Sequence, residues 1–184
     1  MQDIEKKIVI YLNGSCSKRL DRLSAIVSDI KLLIIVWSLA GLYFLCNGFE
    51  ILALQLVFVF LLHTIFCEGI LKYGAKFLSL ERVRPYLAYP DEIRRVGINF
   101  SDKTSSFPSG HTAGMTGGLF MVYSAFPQTL LILILLGGVV ALSRIHNGLH
   151  YPSDVLAGIL LGITYGFVAL QLTPYLIDLI SSIR

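Results

Sequence analysis

The sequence predicts an all-α fold: a polytopic membrane helix bundle of about five to six transmembrane helices, with an amphipathic helix at its N-terminus. Two observations predict it. Of the 184 residues, 55% are hydrophobic and only 15% charged, whereas a typical soluble domain is about a quarter charged and one this short has too little interior for so much apolar surface. The few charges, moreover, fall between long uncharged runs. The same composition excludes a disordered chain and a disulfide-stapled mini-protein. A net charge of +3, scattered along the chain, excludes the basic footprint of a nucleic-acid binder.

A charge at the bilayer centre costs at least about 2.5–3.5 kcal/mol, so spans should lie between charges. Residues 32–49 and 51–67 contain no Asp, Glu, Lys or Arg, with only Glu50 between them; residues 104–143 and 155–177 are likewise uncharged. A crossing helix needs about 20 residues, so the third run makes two helices, broken at Ala125-Phe126-Pro127-Gln128, where Pro127 suits a first helical turn. Five spans follow, at about 29–47, 50–72, 109–126, 128–144 and 154–173. Before them, Ile4, Ile8 and Leu12, then Leu20, Leu23 and Val27, recur at helical spacing, predicting one or two helices lying on the membrane surface. No clean apolar core of a secretory signal stands there. Residues 174–184, after Pro174, read as a short amphipathic tail. The organisation is thus a surface segment 1–28, a transmembrane domain 29–173 and a tail 174–184. Cys16, Cys46 and Cys67 form no CxxC pair and read as small packing residues.

The polar residues are concentrated. The stretch 72–106 carries Lys72, Lys76, Arg82, Arg84, Arg94, Arg95 and Lys103, a solvated loop attracted to headgroups by the plainest reading. Phe107-Pro108-Ser109-Gly110-His111 then opens a helix whose free backbone N–H groups make an anion site. Ser143-Arg144, His150 and Tyr151-Pro152-Ser153-Asp154 close one span and open the next. Arg144 supplies a planar donor fork for phosphate. Asp154, four residues after His150, can hold one ring nitrogen and leave the other free to attack. The plain alternatives are a packing histidine, two helix caps and an interfacial arginine. Both clusters fall on one membrane face together with Lys76, Arg82 and Arg84-Pro85. That inventory suits phosphoryl transfer, in which cations hold nonbridging oxygens, one histidine attacks and another protonates the leaving oxygen.

These residues resemble the signature of the type 2 phosphatidic acid phosphatase superfamily of membrane lipid phosphatases. Its second motif, Pro-Ser-Gly-His, matches Pro108-Ser109-Gly110-His111, and its third matches Ser143-Arg144, His150 and Asp154 without a gap. The first motif, a lysine, six residues, then Arg-Pro, departs: seven residues separate Lys76 from Arg84-Pro85 and eleven separate Lys72. A bulge at the helix end would restore the geometry; Lys76 and Arg84 are carried over, with Lys72 or Arg82 as substitutes. The resemblance implies a nucleophilic His150, oriented by Asp154; His111 as general acid; and Lys76, Arg84, Arg144, Ser109 and the Gly110 backbone as phosphate ligands. It implies no cofactor and no metal. His63 reads as a packed core residue and His146 as a loop residue.

The implied activity is hydrolysis of a phosphomonoester or pyrophosphate on a membrane lipid through a phosphohistidine. Lipid A 1-phosphate leads as substrate, with undecaprenyl pyrophosphate or phosphatidylglycerophosphate as alternatives, and a noncatalytic lipid-phosphate binder behind them. The implied partners are the bilayer and a phospholipid or glycolipid phosphate, with no nucleic acid and no obligate protein partner. The implied location is the bacterial cytoplasmic (inner) membrane, multi-pass, with the site facing the periplasm or cell exterior. The positive-inside rule points the other way, since 14 of the 15 Lys and Arg fall on the motif-bearing face if residues 1–31 lie there.

Overall fold

The computed structural model describes residues 2–14, 17–97 and 105–182, all helical or irregular, with no strand among them. Two short helices come first, α1 (Gln2–Asn13) and α2 (Lys18–Val27), followed by α3 (Ile30–Cys46). Helix α4 (Glu50–Leu62) continues through a π-helical stretch, His63–Tyr73, into α5 (Gly74–Phe77). A one-turn helix α6 (Pro85–Ala88) precedes α7 (Gly110–Ala125), α8 (Leu130–His146, entered by a 3₁₀ turn at Pro127–Thr129) and α9 (Pro152–Ser182).

Helices occupy all five ranges that the uncharged runs predict. Three are long and apolar enough to cross a membrane alone: Glu50–Phe77, Pro127–His146 and Pro152–Asp178. Helices α2 and α3, bent by 50° at their junction, make a fourth if taken together. At 16 residues, α7 is shorter; it sits inside the bundle against α3, α4, α8 and α9. The outward faces are apolar, with Ile34 and Leu39 of α3 and Leu131 and Ile132 of α8 exposed, as a lipid-facing surface requires.

Small residues set how tightly the bundle closes. A Cβ added to Gly162 of α9 would lie 2.5 Å from the Ala113 carbonyl oxygen of α7, backbone that cannot yield. Without a hydrophobic drive between helices in lipid, such close backbone approach is what binds them. Aromatic and aliphatic side chains, among them Phe44, Leu56, Val59, Met121 and Tyr165, fill the rest of the core.

Two features differ from the sequence expectation. Helix α9 does not stop at Pro174 but runs on to Ser182. Proline removes one backbone donor, a loss that membrane helices tolerate, and the Thr173 hydroxyl donates to the Ala169 carbonyl at 2.6 Å just before it. The N-terminal helices are also not merely laid on a surface. They pack against α8, and α1 also against α9, at the end where α7 and α9 begin.

Candidate active site

Three irregular segments meet at that end: Ser105–Ser109 before α7, Arg82–Arg84 before α6, and Asn147–Tyr151 between α8 and α9. Their backbones are tied together, Tyr86 N–H to the Gly148 carbonyl at 3.1 Å, Ser106 N–H to the Arg82 carbonyl at 2.8 Å and Ser109 N–H to the Asp154 carbonyl at 3.0 Å. All three signature regions are therefore fixed against each other.

His150 is 1% exposed. Its Nδ1 lies 2.7 Å from the Ser106 carbonyl oxygen, an acceptor, so Nδ1 carries the proton and Nε2 the lone pair. Nε2 lies 3.3 Å from Arg84 Nη1. Burial first, then the cations of Arg144, Arg84 and Lys72, push the His150 pKa well below the ordinary histidine range, which keeps the imidazole neutral.

Asp154 does not hydrogen-bond His150. Its Oδ2 stands 3.8 Å from Nδ1 and accepts instead from the Tyr151 N–H at 2.8 Å. The expectation that the carboxylate grips the ring is corrected to a buried charge behind a ring that a backbone carbonyl orients. The reason is local: Pro152 starts α9, and the Asp154 side chain is used in tying the preceding residue to that first turn.

The cations sort clearly. Arg84 and Arg144 line one cavity with His150, His111 and Gly110. Arg84 Nη1 donates to the Leu149 carbonyl at 3.1 Å and Arg144 Nη1 to the Ser28 carbonyl at 3.3 Å. Lys72 lines this cavity too and is buried, whereas Lys76 is exposed and does not reach it. The lysine carried over from the sequence is therefore corrected from Lys76 to Lys72. The π-helical stretch is the cause, because its wider turn changes which residue faces inward. Lys72 pairs with Glu68 at 2.7 Å.

His111 stands in the first turn of α7, its Nε2 buried without a hydrogen-bond partner. Ser109 is 0% exposed and its hydroxyl pairs with Thr112 at 2.9 Å, so it serves the helix entry and Gly110 the cavity wall. His146 is not a loop residue: it closes α8, with Nδ1 2.8 Å from the Leu12 carbonyl and Nε2 2.9 Å from Asp21, tying down α1 and α2. His63 lines the cavity and meets the Tyr165 ring edge-on. It brings a donor atom within 4.8 Å of Cys67 and Glu68, a trio that could hold a metal ion by proximity alone; the Lys72 ammonium already occupies Glu68.

A family model described as the PAP2 superfamily matches residues 52–178. The chain belongs to the PAP2 superfamily. Curated relatives match over part of the chain. An undecaprenyl-diphosphatase of Sulfolobus acidocaldarius is 37% identical over 68 residues, covering 36% of this chain and 33% of that protein. A decaprenylphosphoryl-5-phosphoribose phosphatase of Mycobacterium tuberculosis is 41% identical over 63 residues, 34% of each. The bacitracin transport permease protein BcrC of Bacillus licheniformis is 36% identical over 72 residues, 39% of this chain and 36% of that one. The matched stretches thus span about a third of the length of these relatives.

Two solved structures share the fold. LpxE of Aquifex aeolicus superposes with a TM-score of 0.65 at 21% identity, covering 90% of this chain and 93% of that one. A PAP2-type phosphatidylglycerolphosphate phosphatase of Bacillus subtilis gives 0.68 at 18% identity, covering 95% and 86%. The chain is accordingly a multi-pass helical membrane protein of PAP2 fold.

Two groups at this PAP2 site have no signal in the sequence, the Ser106 carbonyl and Glu5, and Arg82 takes a role other than the expected one. The Ser106 carbonyl carries no side-chain signal. Arg82 bonds Asp154 at 2.5 Å through Nη1 and Glu5 at 2.6 Å through Nη2, rather than facing the cavity as a substitute clamp. Glu5 lies so far away in sequence that no spacing rule reaches it. Burial opposes the Arg82 charge, yet Asp154 and Glu5 more than offset it and raise its pKa. Burial likewise raises that of Glu5, and bonds from Ser153 and Arg82 bring it below the ordinary carboxylate range.

Proposed function

We propose that the chain is a metal-independent lipid phosphate phosphatase acting through a phosphohistidine at His150. The observation that carries this reading is the shape and lining of one cavity of about 1410 Å³. One part is walled by His150, His111, Arg84, Arg144 and Lys72. The other runs between α3 and α4 past Leu33, Ile34, Trp37, Leu54, Val57 and Phe60. A water-soluble phosphate would need only the first part; a lipid phosphate uses both, headgroup among the cations and chains along the apolar wall.

His150 Nε2 attacks phosphorus as the bond to the leaving oxygen breaks, and His111 gives that oxygen its proton. Water then attacks the phosphohistidine, His111 taking a proton back, and orthophosphate leaves with the His150 lone pair restored. Arg84, Arg144 and Lys72 hold the nonbridging oxygens, whose charge is largest in the transition state. The buried Asp154 charge stabilises the positive charge the ring acquires.

The relatives named undecaprenyl-diphosphatase and decaprenylphosphoryl-5-phosphoribose phosphatase support a phosphorylated polyprenyl lipid as first substrate; lipid A 1-phosphate, led by the sequence resemblance, is the second reading. Phosphate release from a panel of purified lipid phosphates, with chelator present and His150→Ala alongside, tests the proposal. Release by the wild-type protein alone is expected. Turnover by His150→Ala would overturn the nucleophile, and loss on chelation the metal-free chemistry.

The site is proposed to face the periplasm or exterior of a bacterial cytoplasmic membrane. Six of the cations that argued otherwise are engaged within the protein: Lys72, Arg84 and Arg144 at the cavity, and Lys6, Arg82 and Arg94 in ion pairs. Glu81→Cys, with Cys16 and Cys46 replaced by Ser, should label with an impermeant reagent in intact cells. Protection until lysis would reverse the orientation.

A further inference from the structure

We propose that Glu5 of the N-terminal helix is a positioning residue for the nucleophile, acting through Arg82 and Asp154. The inference rests on the phosphatase reading above. Helix α1 has two faces. Ile4, Ile8 and Tyr11 point outward and are exposed, while Glu5, Val9 and Asn13, four apart, turn toward the protein. Asn13 secures the far end of α1, donating to the Arg94 and His146 carbonyls at 2.8 and 2.6 Å.

Glu5 uses both carboxylate oxygens at the near end. Oε1 accepts from the Ser153 N–H at 2.9 Å, in the first turn of α9, and Oε2 accepts from Arg82 Nη2 at 2.6 Å. The other arm of Arg82, Nη1, donates to Asp154 Oδ1 at 2.5 Å and to the Ser153 hydroxyl at 2.7 Å. The guanidinium also lies 4.1 Å over the Tyr151 ring. Arg82 is therefore held between two carboxylates, one of which stands 3.8 Å from the His150 ring.

The electrostatic consequence follows from charge sharing. When His150 attacks, its ring gains positive charge, which the Asp154 carboxylate stabilises. A guanidinium paired with Asp154 alone would cancel most of that field. Glu5 takes a share of the Arg82 charge, so Asp154 keeps both its place and its negative field at the ring. None of the three groups is needed to hold phosphate.

The experiment measures phosphate release from dioleoyl phosphatidic acid and from undecaprenyl pyrophosphate in mixed micelles. Glu5→Gln keeps an acceptor for Ser153 but removes the charge; kcat should fall by about tenfold, the scale of losing an outer-shell partner, while KM and the unfolding midpoint stay near wild type. Glu5→Asp keeps the charge and should turn over faster than the Gln variant. The control is Lys6→Gln, which breaks the 2.6 Å Lys6–Glu92 pair that also docks α1 and should leave kcat near wild type. A Gln variant as fast as wild type, or a Lys6→Gln variant as slow as Glu5→Gln, would overturn the positioning role and leave the phosphatase reading intact. A wild-type protein inactive on both lipids would overturn that reading and this inference with it.

Discussion

Where α3 ends, Phe44 stacks on Phe126 with ring centroids 6.1 Å apart, and Phe49 meets both edge-on at 6.2 and 5.4 Å. At the opposite end, Ser24, Ser28, Ser143 and Asn147 share hydrogen bonds of 2.6 to 3.0 Å, beside Arg82, Arg84, Arg144, His150 and Asp154. The aromatic end is held by dispersion between groups that need no particular partner. The polar end is held by bonds between specific partners, because an unpaired polar group in low dielectric is costly. A lipid-embedded protein can build a closed apolar end from almost any well-filled packing. Among the described residues most of the buried polarity stands at the end that carries the site, with Gln55 and Thr173 buried away from it.

Substitutions at the two ends should therefore fail differently. The largest effect is expected from His150→Ala, which should lower phosphate release by at least about 10⁴-fold with the fold retained by circular dichroism; a smaller loss would mean that another group attacks. Next comes Arg84→Gln, expected to lower kcat/KM by about 10²–10³-fold, with Lys72→Gln close behind and Lys76→Gln near wild type. An inactive Lys76→Gln beside an active Lys72→Gln would reverse the assignment drawn from burial.

The pH profile separates the ends further. A lowered His150 pKa keeps the attacking neutral form present as pH falls through 6.5, so the acid limb of kcat/KM should lie below that value. Arg84→Gln removes one of the cations responsible, raises the pKa and should move the limb to higher pH. A limb that stays put would deny the cations their influence. Smallest in function is Phe126→Ala, which should destabilise the fold by about 1–3 kcal/mol through lost packing, read by thermal unfolding in detergent, with kcat unchanged.

Much of this was legible in the chain. Charge-free runs located where the helices begin to within a few residues, because a charge inside a bilayer is penalised wherever tertiary structure puts it, although α9 runs nine residues past its expected end. His111, Arg144 and His150 were legible because local spacing places them at helix ends, and Arg84 because Arg84-Pro85 resembles the end of the family's first motif. Lys72 was obscured by the π-helical stretch, whose extra residue per turn leaves no mark in the pattern. The tie on His150 Nδ1 was illegible for another reason: it comes from the Ser106 backbone, and any residue type supplies a carbonyl.

The sequence by itself determined the membrane bundle, its helix positions and the residue types for phosphoryl transfer, since these follow from local hydropathy and short spacings. Tertiary structure alone decided which lysine faces the cavity, what orients the His150 ring and how Glu5 comes to stand beside Arg82. Those depend on partners 77 residues apart for Glu5 and Arg82 and 44 apart for Ser106 and His150. Only the packing of whole helices brings such groups within bonding distance.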